Sequence, residues 1–158
     1  MIDSQQKAHF DAFGFLVVRR MFSPQEVIVI TREFEAAMLE GRKGEPFDGR
    51  CRQTVVDWFK GRDDVSFLER DERIHSTIER LLGPEYYLLE GNDGNFYVGD
   101  TNWHSDGYDR SPGYRSIKIA FYLDPVGRDS GCLRVIPGSH NMGDAFSDAV
   151  HEVMPTGR

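Results

Sequence analysis

His104-Ser105-Asp106 constrains this chain more than any other stretch. It offers an imidazole and a carboxylate at positions i and i+2, the spacing that an extended strand puts on a single face. Successive strand side chains point to opposite faces, and i, i+2 neighbours share a face. On such a strand His104 and Asp106 would be offered to one ion, with Ser105 turned away. An imidazole and a carboxylate make up part of the facial triad that holds non-haem Fe(II) through two histidines and one carboxylate. That triad leaves one face of the metal open. By itself such a pair is common, and a histidine and an aspartate at a solvated strand end are the plainer alternative.

The order of elements around the pair gives an α+β chain. Phe13 to Val18 reads as a short strand. Ser23-Pro24-Gln25-Glu26 then combines an N-cap, a proline suited to the first helical turn and a capping-box glutamate. The helix it opens runs to about Leu39, with Val27, Ile30, Phe34 and Met38 at core spacing. Gly41 to Gly49 is a polar loop, and Thr54 to Phe59 is either a strand or an aromatic-rich loop. A second helix spans about Asp71 to Leu82, lined by Ile74, Ile78, Leu81 and Leu82 and ended by Gly83-Pro84. Tyr86 to Glu90 and Asn95 to Val98 read as strands joined by the turn Gly91-Asn92-Asp93-Gly94. Ser116 to Leu123 and Cys132 to Ile136 are further strands, and the chain from Asn141 on is loop-like. Helices followed by antiparallel strands fit helices backing a jelly-roll sheet.

Composition narrows the function. The chain has 158 residues, which suits a single domain over 1–158, and 39% of them are hydrophobic, enough for a packed core. Its net charge of −7 argues against nucleic acid and against an anionic membrane surface. No apolar run approaches the roughly 20 residues of a membrane span. The N-terminus, with Asp3, Gln5, Gln6 and Lys7, lacks the apolar core of a secretory signal. Cys51 and Cys132 are too few for a disulfide framework, so both are expected as reduced thiols in a cytoplasmic protein.

The central motifs together resemble one family. The alternating run Ile117-Lys118-Ile119-Ala120-Phe121-Tyr122-Leu123-Asp124-Pro125 follows the His104/Asp106 pair. Ser130-Gly131-Cys132-Leu133-Arg134-Val135-Ile136-Pro137-Gly138-Ser139-His140 comes next, and Phe13-Gly14-Phe15-Leu16-Val17-Val18 lies near the N-terminus. This order resembles the phytanoyl-CoA dioxygenase family of Fe(II)/2-oxoglutarate oxygenases. Trp103-His104-Ser105-Asp106 looks closest to members that hydroxylate small free metabolites, such as ectoine hydroxylase. The resemblance implies a double-stranded β-helix, cupin-like, backed by the N-terminal helices. It implies Fe(II) held by His104 and Asp106, 2-oxoglutarate as cosubstrate, O2, and hydroxylation of a small-molecule C–H bond. Related halogenases have a small residue in place of the carboxylate, so Asp106 favours hydroxylation.

Other residues have competing readings. Asn95 and Tyr97 alternate on one strand and would reach into a barrel to bind the cosubstrate. Lys118 shares a face with Ala120 and Tyr122. It either projects outward or serves as a cation inside the barrel, facing a carboxylate ligand. Arg134 is expected to project outward. Trp103 would wall the site or simply pack at an interface. His140, in the family's Pro-Gly-Ser-His turn, is read as structural or on the substrate side rather than as a ligand. His151 is read as a surface loop residue, with ligation the less favoured role, and His75 and His9 as solvated surface residues.

The chain also departs from the resemblance. The family completes its site with a distal histidine and an arginine that grips the far carboxylate of 2-oxoglutarate. Neither is found at the expected place, and the strands read above fall short of the roughly eight of a jelly roll. The expectation is a barrel incomplete at its C-terminal side, either left with an open edge or completed by another polypeptide segment, in an N-terminal piece or a truncated, degenerate member. The alternative function is that of a divergent, non-catalytic jelly-roll protein that binds a metal or small ligand.

Overall fold

The computed structural model describes residues 2–87, 91–105 and 115–154. Among them are helices α1 (Ser4–Phe13), α2 (Pro24–Gly41), α3 (Glu72–Leu82) and α4 (Gly143–Val153), and strands β1 (Gln53–Val56) and β2 (Asp93–Phe96). Short 3-10 helices cover Asp63–Arg70 and Ser139–Asn141. The chain divides into two compact units. One is Val18–Gly99; the other joins Ile2–Val17 to the residues from Asp100 onward.

In the first unit, α2 forms where its start signals place it. The Ser23 hydroxyl accepts from the Glu26 amide at 3.3 Å, and the Glu26 carboxylate accepts from the Ser23 amide at 2.7 Å. The helix buries Ile30, Ala37 and Met38, the i, i+7, i+8 stripe of an amphipathic helix. The expected second helix is α3. Asp71 caps it by accepting from the Arg73 amide, and Ile74, Ile78 and Leu81 are buried at i, i+4 and i+7. Val65 and Leu68 of the intervening 3-10 helix complete the core.

One arginine ties the starts of both helices together. Arg73 donates to Glu26 Oε1 and to Asp71 Oδ2, each at 2.6 Å, and to the Met21 carbonyl at 3.0 Å. Its guanidinium lies 4.7 Å from the centre of the Phe22 ring. The Arg73 hydrogen bond, helped by the Ser23 amide, lowers the Glu26 pKa from 4.5 to about 2. The same guanidinium holds Asp71 below its ordinary value.

The sheet differs from the expected hairpin. Strand β2 pairs antiparallel with β1, Thr54 opposite Asn95 and Val55 opposite Gly94. Of the expected partner strand at 86–90, residues 88–90 lie outside the described residues, and Tyr87 is exposed. The β1–β2 pair is seated by its buried face. Phe34 of α2 stacks edge-on against Trp58 at 5.4 Å and against Phe96 at 5.3 Å. Gly94 lies beneath that ring, and a β-carbon there would come 2.7 Å from Phe34 Cε2. Packing on α2 thus fixes the buried face of β2 where it pairs with β1. The ambiguous segment near 54–59 becomes a strand only over Gln53–Val56.

In the second unit, helix α1 occupies a stretch that gave no helical expectation. Asp3 and Gln6 form a capping box, Lys7 pairs with Asp11 at 2.6 Å, and Gly14 ends the helix in the left-handed region at φ 79°. The helix buries none of its own residues, so the apolar periodicity that marks a helix is absent. The expected strand at 13–18 is replaced by this helix end and an irregular segment. Segments 116–123 and 132–136 form no strand ladder among the described residues. Alternation shows that a segment has two faces; it does not supply a partner. Helix α4 replaces the expected loop after Asn141. Met142 gives no side-chain cap, so the usual start signal is missing, although Phe146, Ala149, Val150 and Val153 do carry helical spacing. Cys51 and Cys132 are free thiols. Among the described residues no helix is long and apolar enough to cross a membrane.

Candidate metal centre

His104 sits in the second unit, on the exposed, irregular segment that begins at Asp100. Its Nδ1 lies 2.7 Å from the carbonyl of Asn102. A carbonyl only accepts, so Nδ1 carries the proton, and in the neutral ring the Nε2 lone pair becomes the ligating one. Metal-binding histidines almost always have their second ring nitrogen held in this way. The neutral imidazole therefore carries its lone pair on Nε2, the tautomer that a ligand acting through Nε2 would use. Asp106 lies outside the described residues, as do residues 107–114. Among the described residues no group of at least three His, Cys, Asp or Glu side chains could hold a metal.

The residue before His104 is held on two sides. The Trp103 ring has the Arg134 guanidinium 5.9 Å from its centre, and Arg134 pairs with Asp100 at 3.6 Å. The Trp103 carbonyl accepts from His151 Nδ1 at 2.9 Å. The Trp103 indole nitrogen is enclosed and has no hydrogen-bond partner among the described residues. Arg134, expected to point outward, thus has a defined place over the tryptophan. His151, expected on a surface loop, is in the last turn of α4. Neither pairing leaves a mark in the sequence, because each joins residues far apart in the chain.

The remaining candidates are placed as follows. Asn95 and Tyr97 lie in the first unit, on the face of β2 turned away from α2. The Asn95 side-chain oxygen accepts from Arg52 Nε at 2.9 Å, Arg52 Nη2 at 2.7 Å and Thr54 Oγ1 at 2.8 Å. Arg52 also lies 4.3 Å from the centre of the Tyr97 ring. Arg52 was not foreseen; its i, i+2 spacing from Thr54 is the signal that marks it. Lys118 is exposed. His140 is structural in the described residues: its Nε2 lies 3.2 Å from the Asp11 carbonyl, and the adjacent Gly138 amide donates to Phe13 at 2.9 Å. His75 is not simply solvated, since its ring nitrogens bond the Tyr86 hydroxyl and the Glu69 carbonyl. His9 is exposed and stacks on Phe13 and Phe15 at 4.8 and 5.1 Å.

Comparison with known proteins places the chain in a family. The chain is 29% identical to an ectoine dioxygenase of Nocardia farcinica, over 88% of this chain and 51% of the relative. It is 26% identical to an ectoine dioxygenase of Streptomyces coelicolor, over 82% of this chain and 48% of the relative. It is 25% identical to one of Bordetella bronchiseptica, over 88% and 50%. The chain thus spans about half the length of the curated relatives it matches. No solved structure matches it. The profile of phytanoyl-CoA dioxygenase matches residues 10–153, and the chain belongs to the phytanoyl-CoA dioxygenase family.

Proposed function

We propose that this chain carries part of the site of an Fe(II)/2-oxoglutarate-dependent dioxygenase that hydroxylates a C–H bond of a small molecule. The observation that supports it most is the His104 tautomer, fixed by the Asn102 carbonyl two residues before, in a motif at the spacing of a facial pair. His104 Nε2 and the Asp106 carboxylate would hold the metal. When bound, Fe(II) supplies the redox chemistry that couples O2 and the decarboxylation of 2-oxoglutarate to hydroxylation.

The chain's own residues orient and shield. The Asn102 carbonyl holds the His104 ring, so the ligand meets the metal with its orientation already fixed. Trp103, under Arg134, limits the access of water on its side of the segment. Asp106 fills a coordination position that a small residue would leave open, which favours hydroxylation over halide transfer. Lys118, Asn95 and Tyr97 are the proposed contacts of the cosubstrate, with Arg52 as an added cation beside Asn95 and Tyr97. The proposed fold around these residues is a double-stranded β-helix in a single domain of a cytoplasmic enzyme. A further polypeptide segment would supply the third ligand and the arginine for the distal carboxylate of 2-oxoglutarate. The names of the relatives point to a small, free, ectoine-like substrate.

The test is release of succinate from 2-oxoglutarate that requires both Fe(II) and O2. Metal binding without such release would support the non-catalytic alternative instead.

A further inference from the structure

We propose that His151 is a positioning residue for the metal site: it fixes the peptide group that joins Trp103 to His104. This rests on the reading of His104 as a metal ligand. The Trp103 carbonyl oxygen and the His104 amide nitrogen belong to one rigid plane. His151 Nδ1 donates to that oxygen at 2.9 Å, so it sets the tilt of the plane from which His104 departs. The next peptide group back, through the Asn102 carbonyl, holds the His104 ring. Two consecutive carbonyls are therefore both engaged by imidazoles, one locally and one from a distant helix.

The segment needs such an anchor. It contains no helix or strand, so no backbone ladder restrains it. What restrains it is side chains from elsewhere: Arg134 over the Trp103 ring, and His151 on its carbonyl. The anchor is itself fixed. His151 is in the last turn of α4, and α4 follows directly on the 3-10 helix Ser139–Asn141. That turn is latched to the end of α1 by the Gly138 amide on the Phe13 carbonyl and by His140 on the Asp11 carbonyl. The turn at 138–141 holds one end of α4, and the other end holds the backbone beside His104.

The experiment uses the full-length protein with His151→Ala, His151→Asn and His104→Ala. Asparagine keeps an N–H close to the position of Nδ1 but loses the distal ring nitrogen. Co(II) affinity is read from d–d absorption. Independently, metal-free protein labelled with 5-fluorotryptophan reports on Trp103 by fluorine NMR, its resonance assigned by loss in Trp103→Phe. His151→Ala is expected to weaken Co(II) binding 10- to 100-fold, the usual effect of losing a partner that orients a ligand. It is also expected to shift and broaden the Trp103 resonance while leaving that of Trp58. His151→Asn is expected to restore both within about threefold. The proposal is overturned if His151→Ala leaves the Trp103 resonance unchanged, or if His151→Asn binds Co(II) as weakly as His151→Ala, which would make the ring a ligand. Undiminished Co(II) binding by His104→Ala overturns the metal reading alone, and the fluorine spectrum still decides whether His151 anchors the peptide.

Discussion

A β-carbon on Gly14 would lie 2.3 Å from Nδ1 of His140. The two residues are far apart in sequence, yet the end of α1 and the Pro-Gly-Ser-His turn are fitted closely enough that only a hydrogen fits between them. Gly14 also stands at φ 79°, where a side chain is strained. Gly14→Ala should therefore destabilise the protein by about 2 kcal/mol or more, from left-handed strain and overpacking together. Adding His140→Ala should recover the overpacking part but not the strain. Denaturant unfolding of the single and double mutants measures this, and strict additivity would contradict the contact.

Gly94 is a second close approach, made without a positive φ. A β-carbon there would meet Phe34 at 2.7 Å and Trp58 at 3.1 Å. Gly94→Ala should cost about 1–3 kcal/mol through overpacking, and Phe34→Leu should relieve part of it. A melting temperature for Gly94→Ala equal to that of the parent would show that β2 does not sit on α2 as described.

The Arg73 cluster gives a dependence on acid. Glu26 is held at about 2 against an ordinary 4.5, and Asp71 is lowered by the same guanidinium. A carboxylate with a depressed folded pKa stabilises fully above its unfolded pKa and loses that contribution as pH falls through the folded value. The loss should run from about pH 4.5 down to about pH 2. Arg73→Gln should return both carboxylates toward ordinary values and move the acid-unfolding midpoint upward, as followed by circular dichroism. An unmoved midpoint would remove the cluster from the acid response.

Asp106→Ala should sharply reduce Fe(II) affinity and abolish hydroxylation under the proposed function, since a metal held by few protein ligands rarely tolerates loss of one. Calorimetric titration of the metal and product analysis provide the check. Product formed at the parent rate would exclude Asp106 from the site.

Reading the sequence located α2 and α3, because their signals are local: Ser23-Pro24 with Glu26 at one start, Asp71 at the other, and apolar residues at helical spacing inside. The motif order from His104 through His140 likewise identified the family, since such motifs are written in nearly consecutive residues. Helix α1 was hidden because it buries no residue of its own, and α4 because Met142 provides no cap. The pairing of β2 with β1 could not be read, because it joins residues about forty apart and is seated by Phe34 packing on Gly94. In the candidate site, His104 and Asp106 were proposed from residue type and spacing alone. The hold of Arg134 and His151 on Trp103 was decided by the tertiary structure alone, since contacts between residues distant in the chain leave no periodic trace in it.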